Sequence, residues 1–474
     1  MKSGPYVDVM TFNENVTGSC NLCVVKFNDG TGVKFLVDCG QYQERGDNEA
    51  LNSTIPFNAE SIKFVLCTHA HMDHIGNLPL LVRKGFFNPI YATTSTCKFI
   101  PLALADSCKI LANNAKKSKK AVIYSEANVD STILLLKHCD FGKTQVVYEN
   151  LDNKIQVTFL QNGHLIGAAL ILVQICCEGC DSIDLIFSGD FNNKNKFFKP
   201  IIPRWLFGLP ATIIQESTYG YMDSTEIKPC FNHNVVKCLK MNGTVVVLAS
   251  SLEKAQSMLQ VLKNMQDSEE LNTDVPIYLD GKLAIKYTHL FLNEELGISK
   301  EKKEFLPQNF HLVGKNERKE LCNDYGRKII VTTSGMGSYG PAQTYIPEFI
   351  VRKNSLIQFT GYTAEGTLGY QLQNVKNGEK VKIGGKEYIK EAEVKYTTEF
   401  SAHAKADEMI SFLRNFERVN AVLLNHGERE VKKQFAERIS KEVETEKVEI
   451  LGNGYVYRIS AYGIIKKIRA KCNQ

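Results

Sequence analysis

The chain has 474 residues, of which 43% are hydrophobic and 23% charged, and a formal net charge of +5 at pH 7. That length suits two or three domains with a sizeable core, so nothing forces disulfides or a metal to hold the fold together. The mild positive balance permits a basic groove without requiring one, and no run of about 18 apolar residues offers a membrane span.

The opening MKSGPYVDVMTFNENV has no apolar core of a signal peptide. The fourteen scattered cysteines are then expected to be reduced thiols of an intracellular protein, in nucleus or cytoplasm, and the sequons at Asn15, Asn52 and Asn242 carry no weight. Two apolar, β-rich runs follow. VKFLVD stops at Asp38 and SIKFVLCTH stops at His69, with Cys67 read as core. The second run opens CTHAHMDHIGNLP, which packs His69, His71, Asp73 and His74 into six positions of a chain with ten histidines. NNAKKSKKAV (113–122) is the densest charge run; it reads as a solvated helix face, with RNA contact as the alternative. IQVTFLQNGH stops at His164 and DLIFSGD stops at Asp190. Between them LILVQICCEGCDSIDLIFSG reads as a hairpin, and its Cys176, Cys177 and Cys180 lack the second pair that a structural zinc needs.

The stretch after Asp190 has a β-then-α rhythm of its own. TVVVLASS leads into LEKAQSMLQVLKNM, VPIYLDG into KLAIKYTHLFLNEEL, KIIVTTSG toward PAQTYIPEFIV, and SLIQFTGY into a Gly-rich turn, TAEGTLGYQL. Such units predict a parallel sheet with covering helices. Their strands end in Ser250-Ser251, Asp280-Gly281, Ser334-Gly335 and Gly361. Ligands of open α/β sheets bind outside the carboxyl ends of the strands, and small residues there admit a phosphate to backbone N–H groups. Gly and Ser serve turns equally well. AVLLNH then stops at His426. The reading is an α/β chain in which one domain interrupts another, with residues 1–215 and 391–474 forming the first and 216–390 the insert.

Side chains at one edge of a buried sheet converge in one cleft. Imidazole and carboxylate suit zinc. Four donors as close as His69, His71, Asp73 and His74 can serve two ions; Asp190 can bridge them, and His164 and His426 can complete the shells. Asp38 reads as a partner that orients a ligand, or as a cap. Two metals about 3.5–4 Å apart clamp both oxygens of a phosphoryl displacement. The same arrangement hydrolyses amides and thioesters, so the donors alone leave the substrate open.

HAHMDH matches the HxHxDH signature of the metallo-β-lactamase superfamily, and NGHLIGAA, FSGD, TGSC and LVDCG fit its other motifs. IIQESTYG (213–220), TEFSAH (398–403), LLNHGE (423–428) and GYTAEGTLG resemble motifs of its β-CASP group of RNA nucleases. That group includes the endonuclease subunit of the cleavage and polyadenylation specificity factor, the Integrator nuclease subunit and prokaryotic relatives. The resemblance implies a metallo-β-lactamase αββα sandwich with an inserted α/β β-CASP domain, two zinc ions per chain, and RNA cleavage by a hydroxide that both metals activate. It assigns His69, His71 and His164 to one zinc, Asp73, His74 and His426 to the other, and Asp190 to both. Asp73 would also hold the attacking hydroxide. His403 would protonate the leaving 3′-oxygen, with Glu216 orienting it.

His426 stands where the DNA-acting members typically carry valine, so single-stranded RNA is the expected substrate. Lys254 stands where many relatives have an arginine; it keeps the charge but loses the bidentate fork. SGMGSYGPAQ has no arginine where many bacterial relatives do. The expected phosphate contacts of the insert are Lys254, Ser334, Gly335 and Gly361, with a weaker grip or help from other lysines. Further expected partners are a second copy or related subunits of an RNA-processing complex, in 3′-end formation, and no membrane. The competing readings are an inactive RNA-binding subunit, a small-molecule thioester or lactam hydrolase, and a DNA nuclease.

Overall fold

The computed structural model describes residues 4–470, apart from 14, 44–49, 315, 362 and 364–365. Part of the Gly-rich turn after Gly361 therefore lies outside the described residues. The chain divides into two compact units, residues 1–224 with 403–474, and residues 225–402. These divisions fall later than the sequence boundaries of 215 and 390. The segment after Glu216 stays tied to the first unit, with Ser217 N–H bonded to the His426 carbonyl (3.1 Å) and Ser224 N–H to Asp407 (2.8 Å). The strand Glu393–Tyr396 pairs with Leu356–Phe359 inside the second unit.

The first unit holds an eight-stranded and a seven-stranded sheet. Their facing sides share one core, in which Val7, Phe35, Phe64 and Tyr457 of the first sheet meet Val157, Ile171, Leu185 and Leu423 of the second. The other face of the seven-stranded sheet buries Leu172, Ile186, Ile213 and Leu424 against the helices Ala406–Leu413 and Arg429–Glu442. Strands buried on both sides read as largely apolar runs, and Ile183–Phe187 and Val419–Asn425 are buried at every position, with Asp184, Asn420 and Asn425 their polar residues. The strands Ile183–Phe187, Ala211–Glu216 and Val419–Asn425 lie parallel and adjacent. Their carboxyl ends therefore emerge together, and so, in the other sheet, do those of Gly32–Val37 and Phe64–Leu66.

The second unit is built on a six-stranded, all-parallel sheet, with a separate antiparallel hairpin, Lys380–Ile383 and Lys386–Ile389. The four expected strands form its centre. Its two edge strands carry no continuous apolar run, Phe310–Leu312 being mostly exposed and Glu393–Tyr396 part-buried, so the sequence does not announce them. A covering helix such as Phe231–Lys240 buries Phe231, Val235, Cys238 and Leu239, the spacing of one helical face. No helix among the described residues is long and apolar enough to cross a membrane.

Candidate metal centre

Every predicted donor lies in the first unit, and most lie just past the end of a strand. Asp38 follows Gly32–Val37, His69 follows Phe64–Leu66, His164 follows Asn153–Gln161, Asp190 follows Ile183–Phe187, and His426 follows Val419–Asn425. Asp73 and His74 sit on the short helix Met72–Ile75. The loop carrying them is pinned by Ser19 N–H to the Asp73 carbonyl and Cys39 N–H to the His74 carbonyl, both 2.8 Å. Gly40 is required beside it, because a Cβ there would stand 1.6 Å from the Asp73 carbonyl oxygen.

The donors fall into two groups that share Asp190: His69, His71 and His164, and Asp73, His74 and His426. In the first, His71 Nδ1 lies 3.2 Å from His69 Nε2 and 3.1 Å from His164 Nε2. Asp190 Oδ2 lies 3.5 Å from His69 Nε2 and 3.6 Å from His164 Nε2. In the second, Asp190 Oδ1 lies 3.1 Å from His74 Nε2 and 3.3 Å from His426 Nε2. Asp73 Oδ2 lies 3.9 Å from His74 Nε2 and 3.6 Å from His426 Nε2. One carboxylate thus turns one oxygen to each group.

The electrostatics fit a cation. Buried His74 Nε2, His426 Nε2 and Asp190 Oδ1 make no hydrogen bond, although each faces the others. Orphaned polar atoms of this kind are costly unless a charge joins them. Burial, with the nearby His74, pushes His69 well below the usual imidazole range, and burial brings His71 down to about 4. Both are neutral at pH 7 and have lone pairs to give. Burial pushes Asp190 up, but His426, His74 and His403 outweigh it and hold the carboxyl well below its ordinary value. His74 is the exception: burial lowers it, yet Asp190 and Asp38 outweigh burial and favour a proton there, which a metal ion would replace.

A second ring of polar groups fixes the donors. Asp38 accepts from His74 Nδ1 (2.7 Å), Thr68 N–H (2.8 Å) and the Thr68 hydroxyl (2.8 Å). Thr68 Oγ1 also lies 3.0 Å from His69 Nδ1, and Thr218 Oγ1 lies 3.1 Å from His426 Nδ1. These contacts leave the Nε2 atoms of His69, His74 and His426 turned to the centre. Asn162 braces two donor loops. Its oxygen accepts from His164 N–H (2.9 Å) and Asn192 N–H (3.2 Å), and its amide donates to the Ser188 (2.8 Å) and Asp190 (2.6 Å) carbonyls. Thr68, Thr218 and Asn162 were not among the predicted residues. The only signal for them is a polar residue at the end of an apolar run, next to a predicted donor.

Glu216 and His403 meet at the same edge. Glu216 is 2% exposed, and its two oxygens lie 2.9 and 3.0 Å from His403 Nδ1. Glu216 also accepts from the N–H groups of Phe191 and Thr218. His403 Nε2 lies 3.8 Å from Asp190 Oδ2. Burial pushes His403 down, but Glu216 and Asp190 outweigh it and hold the imidazole above its usual value.

The predicted phosphate contacts lie in the second unit, beyond the carboxyl ends of its strands. Lys254 opens the helix Lys254–Asp267, Ser334 and Gly335 follow Lys328–Thr332, and Gly361 follows Leu356–Phe359. A Cβ at Gly335 would stand 3.2 Å from Ser250 N, whereas one at Gly361 would meet nothing within 4 Å. Cys177 and Cys180 flank the hairpin turn and accept from the Asn28 amide, and the cysteines join no donor cluster among the described residues.

Three family models match the chain in succession: the metallo-beta-lactamase superfamily over residues 16–107, the Beta-Casp domain over 255–372, and the Zn-dependent metallo-hydrolase RNA specificity domain over 388–451. Among curated relatives, transcription termination factor FttA of Methanosarcina mazei is 28% identical over 436 residues, 87% of this chain and 66% of that protein. Ribonuclease TTHA0252 of Thermus thermophilus is 28% identical over 428 residues, 88% of this chain and 91% of that protein. An RNase J-like protein of Methanocaldococcus jannaschii is 27% identical over 432 residues, 86% of this chain and 90% of that protein. The chain therefore spans just under two thirds of the termination factor but nine tenths of the other two. The three matches follow one another along the chain, which therefore carries metallo-beta-lactamase, Beta-Casp and RNA specificity domains in that order.

Proposed function

We propose that the chain is a zinc-dependent ribonuclease that hydrolyses RNA phosphodiester bonds, in RNA processing or 3′-end formation. Asp190 carries the reading, because it presents one oxygen to each of two donor groups and lies within 3.8 Å of an imidazole backed by a buried carboxylate. Two zinc ions would be held by His69, His71 and His164, by Asp73, His74 and His426, and by Asp190 in common. When bound they supply the positive charge that activates water and offsets charge on the transferring phosphoryl group.

The remaining work falls to side chains. Glu216 holds His403 Nδ1, so Nε2 is the nitrogen that hands a proton to the leaving 3′-oxygen. Hydrogen bonds from Phe191 and Thr218 keep Glu216 from swinging away. Asp73, whose side chain is 14% exposed against 2% for Asp190, accepts a hydrogen bond from the attacking water and aligns it. Lys254, Ser334, Gly335 and Gly361 bind flanking phosphates. RNA as the substrate is supported by the ribonuclease names of two relatives and by the RNA specificity model, which spans both His403 and His426.

End-labelled RNA and matching DNA, with and without chelator, together with metal analysis, test this reading. The expected result is two zinc ions per chain and chelator-sensitive cleavage of RNA alone. His403→Ala keeps the zinc and loses about 10²–10⁴-fold in rate. Full-rate cleavage by His403→Ala removes the acid assignment. Turnover of a thioester with no action on RNA removes the ribonuclease.

A further inference from the structure

Beyond the metal donors, Glu216 and His403, a row of aromatic and cationic groups runs out from the centre within the first unit. The Tyr219 ring lies 6.2 Å from the His403 ring, and the Tyr221 ring lies 6.1 Å from that of Tyr219. The Lys405 ammonium sits 3.2 Å from the centroid of Tyr219. Tyr219 is 3% exposed, whereas Tyr221 is 49% exposed. The row thus begins at His403 and ends at a half-exposed ring.

The loop that carries these tyrosines is fixed at several points. Ser217 N–H bonds the His426 carbonyl, Gly220 N–H the Ser217 carbonyl, and Met222 N–H the Tyr219 carbonyl. Gly220 lies against Phe435, where a Cβ would approach that side chain to 2.7 Å. Ala406 N–H bonds the Met222 carbonyl, and Asp407 accepts from both the N–H and the hydroxyl of Ser224. A single exposed tyrosine is ordinary. One held on a pinned loop, two ring steps from the acid and backed by a buried ring, is a pre-formed surface that loses little entropy on binding a flat ligand.

We propose that Tyr221 is a stacking platform for the nucleobase of the nucleotide that carries the leaving 3′-oxygen. The inference rests on the ribonuclease reading. His403 Nδ1 is occupied by Glu216, so the leaving oxygen must approach Nε2, and the nucleotide bearing it lies on the His403 side of the cut. Every base has a π-face, so such a platform grips that nucleotide with little regard to sequence. It would fix the register of the strand, because the base on Tyr221 decides which phosphate reaches the metals.

The test uses the full-length, zinc-loaded protein and an RNA oligonucleotide whose cut site has been mapped. The base 5′ to the cut is kept, replaced by an abasic ribose, or replaced by 2-aminopurine. Tyr221→Ala is expected to lower kcat/KM on the parent oligonucleotide by roughly tenfold, with the loss mainly in KM, as for removal of one base–aromatic stack. Tyr221→Phe, which keeps the ring face, restores the rate. On the abasic oligonucleotide, the parent protein and Tyr221→Ala converge. The 2-aminopurine fluorescence is quenched on binding the parent and not on binding Tyr221→Ala. An equal loss on abasic and intact RNA overturns the platform in favour of a purely structural tyrosine. Unquenched fluorescence with normal cleavage overturns the platform and spares the ribonuclease. Failure of the parent protein to bind or cleave any RNA overturns both.

Discussion

Lys405 shows how one residue near the site trades stability for position. Its amine is buried without a hydrogen bond and rests on the face of Tyr219. Burial brings its pKa down to about 8, against the opposing pull of Glu216, Glu408 and Asp407. In the unfolded chain a lysine titrates near 10.4. Between about pH 8 and 10.4 the unfolded chain therefore binds more protons than the folded one, and stability rises with pH across that window. Below it the cost is fully present, about 3 kcal/mol for a shift of this size, with roughly 0.5–2 kcal/mol returned by the cation–π contact. Lys405→Met, which keeps the stem and removes the charge, should be about 1–3 kcal/mol more stable than the parent at pH 7. The advantage should fade as the pH approaches 10. Urea unfolding at pH 7, 8, 9 and 10 reads this directly, and a parent chain more stable at pH 7 would mean that the amine is held by more than Tyr219.

At the scale of elements, the site is made by strand ends, and it was legible where strands are apolar throughout. DLIFSGD and AVLLNH announce both the strand and the residue at its end, because burial on two faces leaves few polar positions to blur the run, and VKFLVD does so despite its exposed Lys34. Half-buried edges give no such signal. Thr144–Glu149 mixes exposed and part-buried positions. The terminal pair Tyr455–Ser460 and Gly463–Arg469 joins the eight-stranded sheet beside Tyr6–Thr11, a pairing between distant ends of the chain that no local pattern encodes. The braces between strand ends were equally hidden, since a polar residue after an apolar run looks like any turn. Asn162 uses all four of its hydrogen bonds to join the His164 loop to the Asp190 loop. Asn162→Ala should leave the fold intact and lower metal affinity by about 10–100-fold, the usual effect of losing an outer partner of a metal ligand. Competition with a chromogenic chelator measures it; unchanged affinity would make the brace a matter of folding alone.

For the whole molecule, the question is how one chain divides binding from chemistry. The first unit contains every predicted metal donor, Glu216 and His403, and the two cores described for it draw on its own residues alone. The second unit has a separate core. The two ends of the interruption lie together in the first unit, since Ala406 N–H bonds the Met222 carbonyl and Ser224 bonds Asp407. A few flexible residues can therefore replace 225–402 at small loop-closure cost. The shortened chain should unfold cooperatively, bind the same number of metal ions as the parent, and still hydrolyse a small activated phosphodiester. If the insert holds flanking phosphates as proposed, affinity for RNA should fall by about tenfold or more, with a shallower dependence on salt. RNA cleavage at the parent rate would show that the insert does not hold the substrate. Loss of the metal as well would show that the centre depends on the insert for its geometry, which the confinement of all seven donors to one unit argues against.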